Sequence, residues 1–212
     1  MRKILQEELQ SFDRFYRANL VNSISGFKPA NLIGTINSKG QTNLALFSSV
    51  VHLGADPALI GFIQRPVGVS GDTYRNIIET GYYTINQVNT EIVERAHYTS
   101  AKFDPEISEF KECQLTENYT EGFIAPFVKE SPVKMGLKFV EEIFIKHNNT
   151  RLIIGAIQLI QSEDGLIEED GNIQLDKAEI VSISGLETYY KPIKFASYPY
   201  AKVSEIREKV KK

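Results

Sequence analysis

Cysteine is nearly absent: Cys113 stands alone among 212 residues, which excludes an intrachain disulfide and a thiolate metal cluster. A lone thiol of this kind suits a reducing cytoplasm, which is the expected compartment. Histidine is also scarce, and His52, His97 and His147 lie too far apart to form a metal-ligand pair at helical spacing, so no metal site is expected. The net charge is only −3, with no block of basic residues, and a nucleic-acid surface built on many Lys and Arg contacts is not expected. No run of about 18 apolar residues occurs, so no membrane-spanning helix is expected. Arg2 and Lys3 are not followed by the apolar stretch of a signal peptide. There is no G-x-G-x-x-G, no Walker lysine loop and no Ser-His-Asp elbow.

What is present is an ordinary globular composition, 42% apolar and 24% charged, in a chain long enough for a sizeable core. Ile4, Leu5, Leu9, Phe12, Phe15, Tyr16 and Leu20 recur at helical intervals, predicting one helix over residues 3–22 that Gly26 and Pro29 stop. "NLIGTIN" (31–37) and "TNLALFSSVVH" (42–52) read as the arms of a hairpin around Asn37-Ser38-Lys39-Gly40. Asp56-Pro57 turns the chain into "ALIGFIQ" (58–64), another strand. "DTYRNIIETG" (72–81) reads as a short helix capped by Asp72 or Thr73 and ended by Gly81. "YYTINQV" (82–88) is β-rich, and "TEIVERAHY" (90–98) suggests a second short helix started by Thr90. Residues 99–131 read as a loop-and-helix excursion, and 134–145 with 150–161 as a long hairpin around Asn148-Asn149. "AEIVSISG" (178–185) adds a strand, and "KVSEIREKVKK" (202–212) is a charged helix or a frayed tail.

About six antiparallel strands with inserted helices and no βαβαβ alternation point to a mainly β, closed or partly closed barrel. No linker divides the chain, so one domain is expected: a leading helix over 1–27, the barrel with insertions over 28–190, and a tail over 191–212.

Three polar clusters interrupt the apolar pattern. Asn43, Ser48 and Ser49 sit in a strand whose neighbours are apolar, and an unpaired buried hydroxyl or amide costs about 1–3 kcal/mol. Alternation puts Ser48 and Ser49 on opposite faces, so either the serines bond to backbone at a bulge or the strand bends there. "RPVGVSGDTYRN" (65–76) places Arg65 and a Gly-containing loop before a helix N-terminus, an arrangement suited to a monophosphate, with Thr73 and Asn76 as further donors. An ordinary exposed loop with a capped helix reads equally from the same residues, and Asp72 would repel an anion unless it turns away. "AHYTSAKF" (96–103) brings His97 and Lys102 close together, but no nucleophile or partner carboxylate accompanies His97 at a recognisable spacing. A chain without an acid–base set often leaves its chemistry to a cofactor.

"KPANLIGTINSKGQTNLALFSSVVHLGADPALIGFIQRP", "DTYRNIIETGYYTINQV", "AHYTSAKF…SEF" and "GLETYYKP" together resemble the flavin reductase-like family of FMN-binding split barrels, which includes flavoredoxins. The resemblance implies a six-stranded Greek-key split barrel and a homodimer with one FMN per subunit near the dimer interface. It implies that Asn43, Leu44 and Ala45 approach the isoalloxazine edge and that Ser48 and Ser49 reach the ribityl-phosphate side. Arg65, Thr73 and Asn76 match the phosphate region, and Ser100 to Lys102 match a segment lining the cofactor from another side. Relatives often carry Arg or Lys before the Asp-Thr pair; Gly71 stands there in this chain, which throws weight onto Arg65 or Lys102. The implied activity is hydride transfer from NAD(P)H to FMN, with no catalytic residue assigned. The alternative is a flavoredoxin-like carrier exchanging electrons with a redox partner protein, and a barrel that has lost its flavin is a third reading.

Overall fold

The computed structural model describes residues 1–68 and 71–203. Five helices, α1 (Gln6–Ser11), α2 (Arg14–Ile24), α3 (Asp72–Thr80), α4 (Val93–Tyr98) and α5 (Glu109–Glu112), are set among twelve strands in the described residues. The strands are β1 (Lys28–Pro29), β2 (Asn31–Ile36), β3 (Thr42–Phe47), β4 (Val51–Ala55), β5 (Ala58–Gln64), β6 (Tyr82–Gln87), β7 (Glu117–Thr120), β8 (Phe123–Val128), β9 (Val133–Ile145), β10 (Thr150–Ser162), β11 (Ser182–Ser184) and β12 (Thr188–Tyr190). Seven of them form the main antiparallel sheet in the order β3-β2-β6-β9-β10-β5-β4. β1, β11 and β12 make a small sheet, and β7 pairs with β8.

β3 and β4 are consecutive in the chain, yet they occupy opposite edges of the seven-stranded sheet. Only Ser48, Ser49 and Val50 separate them. The four steps from Phe47 to Val51 reach at most about 14 Å, so the two edges must curl toward each other into a barrel split along one seam. The expected mainly β split barrel is therefore present, with a more elaborate strand set than six.

Two apolar clusters lie on opposite faces of β2 and β3. The barrel interior holds Ile33, Phe62, Ile77, Tyr83, Ile85, Leu137 and Ile153, sealed on one side by α3. The other cluster packs Leu32 and Leu44 against Ile92 and Ala96 of the α4 region, Phe110 of α5 and Ile183 of β11. Alternation along β3 explains the division: Leu44 and Leu46 point to the outer cluster, while Phe47 joins the interior one.

Four local expectations change. The leading helix is broken at Phe12–Asp13, where the Asp13 carboxylate accepts the Phe15 and Tyr16 N–H groups and starts α2 afresh. Residues 99–131 contain the β7–β8 hairpin as well as α5, because β8 packs against β2 and β6; the Thr84 hydroxyl donates to Pro126 O at 2.7 Å. The 90–98 helix begins only at Val93: Asn89 Oδ1 accepts the Ile92 N–H, and the Thr90 hydroxyl is drawn to Glu179. Within 178–185 only Ser182–Ser184 is strand, since Ile180 makes an isolated bridge to Asn89. The end of α3 follows expectation, with Gly81 at φ 75° in the left-handed region. The expected C-terminal helix or tail lies beyond Val203, outside the described residues.

Candidate functional site

Asn43 and Thr73 are brought together across 30 residues of sequence: the buried Asn43 amide donates to Thr73 Oγ1 at 3.0 Å. One register position across β2, Thr35 faces Asn43, and its hydroxyl accepts the Asn76 amide at 3.1 Å. Thr35, Asn43, Thr73 and Asn76 thus form a buried polar layer that ties the first turn of α3 to β2 and β3. An accepted hydrogen bond leaves the Thr73 hydroxyl proton available for an outside acceptor. Asn76 is committed to β2, so its amide supports the helix and does not point toward the loop.

The start of α3 differs from the expected cap. The N-cap residue is Gly71, which has no side chain, and neither Asp72 nor Thr73 caps the helix. Asp72 instead pairs with Arg75 within the first turn, which offsets its charge. Among the described residues, the Asp72, Thr73 and Tyr74 N–H groups meet no side-chain acceptor. They retain the anion preference of a helix N-terminus. Arg65 leaves the end of β5 exposed, and among the described residues its side chain makes no hydrogen bond or ion pair. Beside it Gln64 is buried, with its amide donating to Arg65 O and its Oε1 without a partner among the described residues.

Along β3 the backbone decides what is offered. The Leu44 N–H points away from β2 and is taken at 2.9 Å by Glu109 Oε2 of α5. Thr42 is covered in the same way: its hydroxyl lies 2.7 Å from Ser108 Oγ and 2.6 Å from Glu117 Oε1. In an antiparallel edge strand the outward groups recur every second residue, so Leu46 is the next outward N–H after Leu44. Leu44 is thus closed off by Glu109, while Leu46 and the half-buried Ser48 face the open part of the edge. Ala45 turns its backbone inward to β2, opposite Ile33.

Ser49 satisfies a role that strand physics anticipates. Its hydroxyl accepts the Ile63 N–H at 3.1 Å and donates to Ile63 O at 3.2 Å. β4 pairs Val51 with Gly61, so Ser49 falls opposite Ile63 and extends that register with its side chain where its backbone has turned the corner. Ser48 and Ser49 therefore occupy different environments, and Ser49 fastens the seam of the barrel.

The α4 turn lies on the other face of β3. Ser100 and Lys102 are exposed there, and the Ser100 N–H donates to His97 O at 3.0 Å. Phe103 anchors the turn by packing on the cluster that contains Leu44. His97 Nδ1 lies 3.0 Å from the Tyr189 hydroxyl, joining "AHYTSAKF" to "GLETYYKP"; burial pushes Tyr189 up to about 12. The Tyr189 hydroxyl accordingly stays neutral at physiological pH and holds the imidazole in place. Glu109 and Tyr189 were not singled out from sequence as site residues. Glu109 gave no local signal, since its significance comes from a strand 65 positions away.

Burial raises the Glu109 carboxyl pKa, with the Asp72 charge adding to the effect and the Leu44 hydrogen bond opposing it. The native state therefore holds a proton that the unfolded chain releases, and stability falls as pH rises from about 4.3 through the raised native value. Glu109→Gln keeps an oxygen for the Leu44 N–H and removes the charge. Its thermal unfolding measured from pH 4 to 7 is expected to lack that part of the decline; an identical pH slope in both proteins would contradict the assignment.

Taken together, β3 is flanked by the start of α3 on one face, where Thr73 meets Asn43, and by the turn that leads from α4 to Ser100–Lys102 on the other, with Arg65 exposed at the end of β5. The sequence matches the flavin reductase like domain family over residues 27–174. The chain is 45% identical to a Shewanella frigidimarina protein described as a flavin reductase with split barrel domain, at a TM-score of 0.92, covering 95% of this chain and 100% of that one. Its fold also matches nitrilotriacetate monooxygenase component B from Bacillus cereus, at 22% identity and a TM-score of 0.82, covering 93% and 98% of the two chains. The flavoredoxin of Desulfovibrio vulgaris shares the fold at 24% identity and a TM-score of 0.72, covering 83% and 92%. On the family match and the split-barrel architecture together, the chain belongs to the flavin reductase-like family.

Proposed function

We propose that this single-domain protein binds FMN along the open edge of β3 and passes hydride from NAD(P)H to it. The observation that carries the reading is the Asn43–Thr73 hydrogen bond, which joins the flavin-type strand to the phosphate-type helix start in one buried layer. The donor set fits a flavin monophosphate: Arg65 supplies charge, Thr73 a hydroxyl proton, and the first turn of α3 its N–H groups. Asn43 acts by orienting Thr73. Leu46, Ser48, Ser100 and Lys102 remain to meet the ring and ribityl chain, while Leu44, Ala45, Ser49 and Asn76 shape the wall. FMN, when bound, supplies a two-electron acceptor, and the protein's part is to orient it and leave one ring face open to a nicotinamide. We place this activity in the cytoplasm, and in a homodimer with the flavin near the interface. Support for the dimer is the exposed apolar surface of β4 and outer β9, where Val51, Leu53, Val140 and Ile143 meet solvent.

A visible spectrum of the purified protein, followed by anaerobic titration with NADH and NADPH, tests the reading. A yellow protein bleached directly by either nucleotide supports it; a colourless protein that stays colourless with added FMN refutes it. The likeness to a flavoredoxin fold favours a second reading, an electron carrier, which predicts bleaching only through a redox partner protein. Arg65→Ala is expected to weaken FMN affinity by about 10- to 100-fold, the scale of one charge-assisted contact to phosphate. Because Arg65 is exposed, the melting temperature of the flavin-free protein should not move. Fluorescence quenching of FMN measures the affinity, and an unchanged value would move the phosphate elsewhere.

A further inference from the structure

After β12 the chain continues as an arm without helix or strand from Lys191 to Lys202, whose Pro192, Lys194 and Ser197 line an open cavity with residues 168–177. Its base is held, with Lys191 paired to Glu179 at 2.6 Å and the ring of Tyr190 edge-on to Phe27 at 4.7 Å between centroids. Beyond that base Ile193, Phe195, Tyr198 and Tyr200 are 82%, 98%, 86% and 89% exposed. Pro192 and Pro199 keep the arm extended and disfavour a helix.

Three rings and an isoleucine in water are a large unpartnered apolar area. An aromatic side chain buries about 150–250 Å², so the three rings alone offer about 450–750 Å². A standard protein interface takes about 800 Å² from each partner. The arm therefore comes close to supplying one side of an interface.

The matching surface is on the same molecule. Among the described residues β4 ends the seven-stranded sheet and pairs only with β5, so its outer backbone groups form an edge without a partner strand there. Val51 and Leu53 are exposed on it, and Val140 and Ile143 on outer β9 add to the apolar surface, whereas Phe144 stacks on Arg151 on the opposite face. An extended arm and an open strand edge are complementary in backbone hydrogen bonding as well as in side chains. Because every copy has both halves, a two-fold pair closes with each arm on the other molecule.

We propose that residues 192–200 of one copy lie across β4 and the outer part of β9 of a second copy, in a reciprocal exchange. This deepens the homodimer reading and rests on it.

Sedimentation velocity of the full chain and of F195S/Y198S/Y200S tests the exchange, since the exposed rings can be removed without disturbing the core. The full chain is expected to be a dimer, and the variant to show about a 100-fold or greater rise in the dimer dissociation constant. A monomeric full chain would overturn the homodimer reading and the exchange together. A dimeric full chain whose variant associates equally well would overturn the exchange alone. A photo-crosslinker placed at Phe195 in the otherwise intact chain gives an independent reading. Inter-chain products mapping to 51–53 or 140–143 support the exchange; products confined to one chain reject it.

Discussion

Asn86→Leu is expected to destabilise the protein by about 3–5 kcal/mol, the range reached when a buried hydrogen-bonding network loses its centre. Asn86 is fully buried on β6. Its amide donates to Leu32 O at 3.1 Å and to Thr84 Oγ1 at 2.9 Å, and its carbonyl accepts the Val128 N–H at 2.9 Å. One side chain thus joins β2, β6 and β8. Leucine fills a similar volume but strands the Val128 N–H in the core, where neither water nor another acceptor can reach it. Urea denaturation measures the loss through the shift in midpoint at constant slope. A cost below about 1 kcal/mol would mean that β8 finds other partners. β8 packs on β2, the strand paired with β3, so a loosened β8 should also weaken flavin binding.

A second large effect is expected at Gly155, where β10 passes the ring of Tyr83. A Cβ on residue 155 would fall on the Tyr83 hydroxyl and approach ring atom Cζ within 2.9 Å. The ring cannot retreat, because it is packed among Phe62, Ile85, Leu137 and Ile153. Gly155→Ala should therefore cost about 3 kcal/mol by overpacking. The Tyr83 hydroxyl is buried without a partner among the described residues, and burial pushes its pKa far upward. Tyr83→Phe removes that unpaired group and is expected to be neutral or stabilising by up to about 1 kcal/mol. In the double variant the alanine meets a smaller ring, and more than half of the single-variant loss should be recovered. A double-mutant cycle by calorimetry reads the coupling; strict additivity would show that the clash lies elsewhere.

Much of the architecture was legible locally. "NLIGTIN", "ALIGFIQ" and the long hairpin around Asn148-Asn149 fold where their periodicity and turns place them, because alternation and turn chemistry depend only on near neighbours. The same reasoning misjudged the first helix. Apolar spacing runs smoothly through Phe12, but the Asp13 carboxylate prefers free N–H groups and restarts the helix. Asp13 was the readable signal there, outweighed by periodicity. At the candidate site, residue types were readable and their partners were not. Asn43 was recognisable as an unusual polar group in an apolar strand, whereas its bond to Thr73 depends on how α3 folds back over β2 and β3.

The stretch "TNLALFSSVVH" separates what each level decides. Its composition and alternation read as one strand with polar residues that must find partners, because buried amides and hydroxyls are costly alone; the structure breaks it at Ser48–Val50 into β3 and β4. That these segments become opposite edges of one sheet, with Ser49 bonded to Ile63 at the seam, is decided only when seven strands curl together. Glu109 closing the Leu44 N–H has the same origin. Hydrogen bonds between groups distant in sequence follow from the register and curvature of the whole sheet, which no single segment encodes.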